Sequence, residues 1–235
     1  MAFFYASDDR FKVGTKEVSI DIAEIAAQAE RPVYVYDLDD VEMRFRAYQE
    51  AFKGLNHTIH YAMKANSHPI LLRKLASLGA GADTVSIGEV RKALAAGIPA
   101  DRIIFSGVAK TKAEIREALS KDIKQINVES PQELQRIADI AQSLGKVANV
   151  AFRLNPDVNP NTHPYITTGF RENKFGMDDT FVPELVEILN RSKENVRVRG
   201  LTLHIGSLLF DLAVFQEAIE KTITVYKLLE SHGFK

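Results

Sequence analysis

The chain contains neither cysteine nor tryptophan. Without cysteine, disulfide staples, thiolate zinc sites, iron–sulfur clusters and a cysteine nucleophile are excluded within these residues. Charge of one sign is not in excess either: 30 lysines and arginines face 31 acids, a net charge of −1 over 235 residues. That balance lacks the basic surplus needed to bind nucleic acid phosphates. No apolar run approaches the roughly 18 residues of a membrane span, and Met1 to Ala6 is too short for a secretion signal. A cytoplasmic protein without nucleic acid or membrane partners is therefore expected. The phosphate-binding pattern G-x-x-x-x-G-K-[ST] does not occur. The nearest approach to a dinucleotide fingerprint, Gly79-Ala80-Gly81-Ala82-Asp83-Thr84, ends in threonine and precedes a β-rich run instead of following one.

What is present is 46% hydrophobic residues, enough for a sizeable core, and an ordinary 26% of charged ones. From residue 58 onward one rhythm repeats: a short β-rich run, a polar turn and an amphipathic helix. The β runs begin near Thr58, Ala82, Ile103, Gln125, Val150 and Leu201, the first five about 20–25 residues apart, close to the minimum for a strand, a crossover helix and two turns. Pro69 and Gly79 bracket one helix. Ser86 with Glu89, Thr111 with Glu114 and Ser130 with Glu133 have capping-box spacing. Leu134, Ile137, Ala138 and Ala141 form an apolar stripe, as do Leu185, Val186 and Leu189, and Phe215, Ile219, Thr222, Tyr226 and Leu229 on the last helix.

This alternation predicts an α/β fold with a parallel sheet under helices. The poor dinucleotide fingerprint favours a parallel (β/α)8-type barrel over an open doubly wound sheet, although only about six βα units can be counted. Residues 1–31 read as a separate N-terminal segment. Within the first 58 residues, Ser19–Ala29 reads as a helix, Val33–Tyr36 as a short strand and Asp39–Phe52 as a helix with Val41, Phe45, Tyr48 and Phe52 inward. The longest irregular stretch, Asn155 to Asp178, follows a strand end, where long loops tend to be functional.

Barrels of this type carry their chemistry at the carboxyl ends of the strands. Those ends read Lys64, Asp83 with Ser86, Ser106, Glu129, Arg153 with Asn155, and His204 with Ser207. Alternation places Lys64 on the face shared with His60 and Ala62. If that face points inward, the ammonium loses water and the nucleophilic amine is favoured, ready for Schiff-base chemistry. A lysine snorkelling outward at a strand end satisfies the same pattern. Glu89 has a complete explanation as the third residue of a helix capped by Ser86, and Asp83 could serve a strand-end turn. The six histidines have no metal spacing. Asp157-Val158-Asn159-Pro160-Asn161 imitates a calcium loop but has Thr162 where glycine is needed and Thr168 where glutamate is needed, so no metal is expected.

Tyr61-Ala62-Met63-Lys64-Ala65-Asn66-Ser67, the run from Gly79 to Ser86 with Glu89, and Phe105-Ser106-Gly107-Val108-Ala109-Lys110-Thr111 follow one another in order. They are joined by Asn127-Val128-Glu129-Ser130, Arg153-Leu154-Asn155-Pro156-Asp157, Thr168-Gly169, Lys174-Phe175-Gly176 and His204-Ile205-Gly206-Ser207. Together, from about Pro32 onward, they resemble the diaminopimelate decarboxylases, in the alanine-racemase-like group of pyridoxal-phosphate enzymes. The resemblance implies decarboxylation of meso-diaminopimelate to L-lysine, the last step of lysine biosynthesis, with pyridoxal 5'-phosphate as cofactor. It implies that Lys64 binds the cofactor covalently, His204 lies flat against its ring, Ser207 contacts its phosphate, Asp83 and Glu89 are acids close to Lys64, and Arg153 lies beside the ring's phenolic edge. It also implies a homodimer, with Lys174 able to pair across the subunit boundary.

Members of that family continue through further barrel strands, a glycine-rich phosphate loop, an acid for the pyridinium nitrogen and a C-terminal β-domain that residues 1–31 would pack against. On this reading the chain is a fragment or truncated form with little activity of its own. Leu208 stands where the family has glutamine. The competing expectations are a non-catalytic homologue and a decarboxylase of another basic amino acid, namely ornithine, arginine or lysine.

Overall fold

A computed structural model describes residues 3–156, 158, 175–206, 209 and 211–234. Thr168, Gly169, Lys174, Ser207, Leu208 and the calcium-loop imitation beginning at Asp157 lie wholly or largely outside the described residues. Strands β1 (Phe3–Tyr5), β2 (Phe11–Gly14) and β3 (Ser19–Asp21) form an antiparallel meander of their own. Helix α1 (Ile22–Ala27) follows, with the Asp21 carboxylate accepting from Ala23 N. The helix expected over Ser19–Ala29 is thus a strand and then a shorter helix, because Val13 and Lys12 of β2 pair with Ile20 and Asp21. Val33–Tyr36, expected as a strand, pairs with nothing among the described residues, and Tyr34 is 92% exposed.

Helix α2 (Leu38–Ala51) is capped by Asp37, which accepts from Asp39 N and Asp40 N. Phe45 and Val41 pack with Leu71 and Leu75, but Tyr48 and Phe52 are exposed, against expectation. Then come β4 (His60–Ala62), α3 (Pro69–Ser77), β5 (Gly81–Thr84), α4 (Ile87–Ala95), β6 (Ile103–Phe105), α5 (Lys112–Ser120), β7 (Gln125–Val128), α6 (Pro131–Leu144), β8 (Ala148–Leu154), α7 (Val182–Arg191), β9 (Val196–Leu203) and α8 (Leu212–Ser231).

Strands β4 to β9 form one parallel sheet in strict chain order. A doubly wound sheet reverses direction around its first strand. Unbroken sequential order is instead the arc of a barrel, here six units long. Alternate residues divide between the faces. Ala82, Ile103, Phe105, Ile126, Val128, Val150 and Phe152 pack among Val90, Ile115, Leu134, Ile137 and Leu185 of the covering helices, all almost completely buried. At full burial each of the valine, leucine, isoleucine and phenylalanine side chains contributes about 1.5–3 kcal/mol. The intervening residues Asp83, Ile104, Asn127 and Arg153 face the other, inner side.

Two departures from the expected elements have clear causes. Strand β9 begins at Val196 rather than Leu201, since exposed Arg197 and Arg199 interrupt its apolar pattern while its backbone still pairs with β8 across a bulge at Val150/Ala151. Of the stripe expected to face inward on α8, Leu229 is buried as expected, but Val214 and Ala218 take the inward places of Phe215 and Ile219. Val214, Ala218 and Leu229 are buried, whereas Phe215, Ile219 and Tyr226 are 40–52% exposed. That helix carries apolar residues on several faces, so periodicity could not choose between them.

The three capping-box spacings also divide. Only Thr111 and Glu114 form the reciprocal pair. Glu89 and Glu133 reach one residue further back, accepting at 2.8 Å from Val85 N and Glu129 N respectively. Each therefore ties down the backbone at the carboxyl end of a strand.

Candidate active site

The carboxyl ends of β4 to β9 surround a cleft of about 530 Å³ lined by His60, Lys64, Asp83, Ser106, Asn127, Glu129, Arg153, Phe175 and His204, with smaller residues between them. Lys64, Asp83, Ser106, Glu129, Arg153 and His204 come one from each strand end, 19 or more positions apart, as sequential β/α units require. Of the six residues expected at the site, Lys64, Asp83, Arg153 and His204 are brought together here. Ser207 lies outside the described residues, and Glu89 is not among the cleft's lining. The Glu89 carboxylate is engaged by the backbone of Val85, which does line the cleft.

Met63 N donates to Asp83 O at 3.0 Å, so Lys64 leaves β4 alongside Asp83. Met63 points the opposite way and is 1% exposed. The expectation that Lys64 is kept dry is not met: it is exposed, since it stands in a turn just past the strand end at the open mouth of the arc. No hydrogen bond or ion pair engages its ammonium among the described residues. Its charge is nonetheless felt by His204, which burial, then the charges of Arg153 and Lys64, hold below the usual imidazole range of 6.5, against Asp83.

Asp83 is the end of a polar file across the inner face. Gln125 Nε2 donates to Asn127 Oδ1 at 2.9 Å, Asn127 Nδ2 to Ser106 Oγ at 2.9 Å, and Ser106 Oγ to Asp83 Oδ1 at 2.5 Å. On the other wall Arg153 Nη1 donates to Glu129 Oε1 at 3.0 Å, and its guanidinium lies 5.4 Å from the centre of the Phe175 ring. Behind the wall, Lys110 is 2% exposed and donates to Gly107 O, Asn127 O and both Glu133 oxygens. Burial pushes this ammonium below its ordinary range, and the nearby carboxylates of Glu133 and Glu129 oppose that.

His60, Asn127 and Phe175 were not singled out from the sequence. His60 Nδ1 pairs with Thr58 O at 3.2 Å, which leaves Nε2 buried and without a partner among the described residues. Burial and then the Lys124 charge hold this imidazole below 6.5, although Thr58 and Asp83 favour the cation. Its ring lies over Gly81, where a Cβ would collide with it. That close approach, not a nucleotide, explains the second glycine of Gly79-Ala80-Gly81. The available signal was parity: Asn127 is two residues before Glu129 on a strand whose other face is wholly apolar.

A second cleft of about 430 Å³, between the end of β8 and α8, holds none of Lys64, Asp83, Arg153 and His204. Residues 38–235 match the family model described as the pyridoxal binding domain of pyridoxal-dependent decarboxylases.

The chain belongs to this family.

Among relatives of this pyridoxal-binding domain, the diaminopimelate decarboxylase of Aquifex aeolicus is 43% identical over 215 residues, covering 92% of this chain and 50% of that protein. The Pseudomonas aeruginosa diaminopimelate decarboxylase is 40% identical over 233 residues, covering 98% and 54%. The crystal structure of the Helicobacter pylori diaminopimelate decarboxylase complexed with L-lysine superposes with a TM-score of 0.85 at 43% identity, over 92% of this chain and 54% of the other. That of M. jannaschii, in co-complex with L-lysine, gives 0.87 at 37% identity, over 100% and 54%. The chain thus spans about half the length of the relatives it matches.

The residues present fit a pyridoxal cofactor. An aldehyde needs a primary amine not already held in an ion pair, which Lys64 supplies. A flat heteroaromatic ring needs flat neighbours and polar contacts at its edge. The imidazole of His204, the guanidinium of Arg153 and the carboxylate of Asp83 provide them around one cleft. Arg153 Nε is also buried and unpartnered among the described residues, and groups of that kind commonly have a ligand or ordered water as their partner.

Proposed function

We propose that this chain supplies the cofactor-binding part of a decarboxylase that converts meso-diaminopimelate to L-lysine, acting as a homodimer in the cytoplasm. The observation that carries the reading is the convergence of Lys64, Asp83, Arg153 and His204 on one cleft of the pyridoxal-binding fold. Its support for the substrate is the likeness to diaminopimelate decarboxylases, two of whose structures hold L-lysine. No helix among the described residues is long and apolar enough to cross a membrane.

When bound, pyridoxal phosphate supplies an electron sink for the pair left behind as an α-carboxylate departs. The protein's own residues prepare for that. The Lys64 amine is the group positioned to hold the cofactor, and it reaches the mouth of the cleft unencumbered. His204, biased toward its neutral form by burial and two cations, offers a flat uncharged face. Asp83 has one oxygen committed to Ser106, which fixes the direction of the other. Arg153, with its charge met by Glu129, can face a developing anion without drifting from the wall. Ser207 is proposed to contact the phosphate, Glu89 to act through the backbone of Val85, and Lys174 to pair across the dimer. In this reading residues 1–31 belong to a surface for a second, β domain; their antiparallel meander is separate from the barrel sheet and exposes Tyr5, Val18 and Ile20.

Two measurements test this. After incubation with pyridoxal phosphate and borohydride reduction, peptide mapping should find the label on Lys64, and uniform labelling of the surface lysines would remove the case for it. In a full-length protein carrying these residues, carbon dioxide release should favour meso-diaminopimelate over L-ornithine and L-arginine and vanish in Lys64→Ala. Equal release from ornithine would overturn the substrate assignment, and robust release by residues 1–235 alone would overturn the reading of the chain as a part of the enzyme.

A further inference from the structure

Arg153 brings a cation to a cleft that already holds Lys64, and a long side chain at a strand end is not placed by its backbone alone. Two contacts and its burial place it. Its Nη1 donates to Glu129 Oε1, its guanidinium is covered by the Phe175 ring, and its side chain is 14% exposed. Glu129, whose side chain is 7% exposed, uses its second oxygen differently: Oε2 accepts from Gly176 N at 2.9 Å.

Gly176 is the neighbour of Phe175. Its φ of +82° is a left-handed conformation, and a Cβ there would press on Asn155 Oδ1 and Arg153 O. The same short segment is laced to the end of β8 by Asn155 Nδ2 to Phe175 O, Asn155 N to Met177 O and Met177 N to Arg153 O. Glu129 is itself tied back, since its backbone N–H donates to Glu133, the partner of buried Lys110.

We propose that Glu129 is the positioning residue of this site: one carboxylate oxygen holds the Arg153 guanidinium, and the other holds the backbone turn that lays the Phe175 ring over it. Bidentate division of one carboxylate between a side chain and a backbone N–H fixes both partners in a single geometry. The consequence is a cation of fixed position and offset charge beside His204. The assignment rests on the pyridoxal reading of the cleft for its purpose, though not for its geometry.

Glu129→Gln keeps the volume but removes the charge and leaves one of the two donors without an acceptor. With the Arg153 charge no longer offset, the imidazole of His204, followed by NMR in the cofactor-free chain, should titrate at lower pH than in the wild type. Affinity for pyridoxal phosphate, followed by absorbance, should fall about tenfold, the loss of one charge-assisted hydrogen bond. Glu129→Asp keeps the charge but not the reach, so the His204 titration should return to that of the wild type while the affinity stays low. A merely structural glutamate would lower the melting temperature in both variants and leave the His204 titration and the affinity unchanged; that result overturns the proposal. Should Glu129→Gln fail to fold, wild-type affinity in Glu129→Asp overturns it equally. Borohydride labelling of the wild-type chain that misses Lys64 would sink the cofactor reading instead, and the His204 titration would still judge Glu129.

Discussion

Ser106 Oγ donates to Asp83 Oδ1 at 2.5 Å, joining the ends of two neighbouring parallel strands by a single hydroxyl. The same oxygen accepts from Asn127 Nδ2, so one atom links three strands on the inner face. Direction is set along the whole file, because the terminal carboxylate accepts and each preceding group then donates toward it. This arrangement aims Asp83 from the strands of the inner face.

Replacing Ser106 by alanine removes a donor from Asp83 and an acceptor from Asn127 at once. Asn127 is 6% exposed, so its loss is not made good by water. The expected cost is about 1–3 kcal/mol of folding stability, measured by urea denaturation. Affinity for pyridoxal phosphate should fall with it, because Asp83 is then released to other rotamers. Unchanged stability together with unchanged affinity would show that the file is dispensable.

Lys110 and Glu133 are nearly inaccessible, with side chains 1% and 6% exposed. Lys110→Met leaves a buried carboxylate without its counter-charge, a defect worth about 3–5 kcal/mol. Lys110→Met combined with Glu133→Gln should recover most of that, since the amide needs no counter-charge and keeps an oxygen for Glu129 N. A double variant no more stable than the single one would mean that the lysine acts chiefly through its bonds to Gly107 O and Asn127 O.

Acid should destabilise the fold through His60 and His204. Burial, as the foremost cause, holds both below the ordinary value of 6.5 in the folded chain. On acidification the unfolded chain therefore binds protons first. The contribution to stability is fully present above 6.5 and is lost as the pH falls from there through the lower folded values. Denaturation midpoints collected through this window should decline, and the decline should be shallower in His60→Gln and in His204→Gln. Equal slopes in all three proteins would refute the assignment.

Much of this architecture is legible in the sequence. Pro69, Ser86, Thr111 and Ser130 mark helix starts because a cap is a local event, satisfied within four residues. Strand ends carrying Lys64, Asp83, Arg153 and His204 follow from the β/α rhythm, since a barrel gathers such ends on one side. The local signals failed where a neighbour decided the matter. Val33–Tyr36 has strand composition but no strand beside it among the described residues, and β9 is a strand despite its arginines because β8 is there to pair with. On α8, whose apolar residues surround the helix, only the packed core selects Val214 and Ala218 over Phe215 and Ile219.

From residue 58 onward, the order of strands and helices, the helix starts and the chemical types at the strand ends were already contained in the order of the residues, because each depends on a few neighbours along the chain. Tertiary structure alone decided that Glu129 divides its carboxylate between Arg153 and Gly176, 47 positions away from the latter. It also decided that Lys64 stands in the open mouth rather than a dry interior. Side-chain pairing and hydration depend on which distant segments come within hydrogen-bonding distance. That is fixed by strand register and packing, not by spacing along the chain.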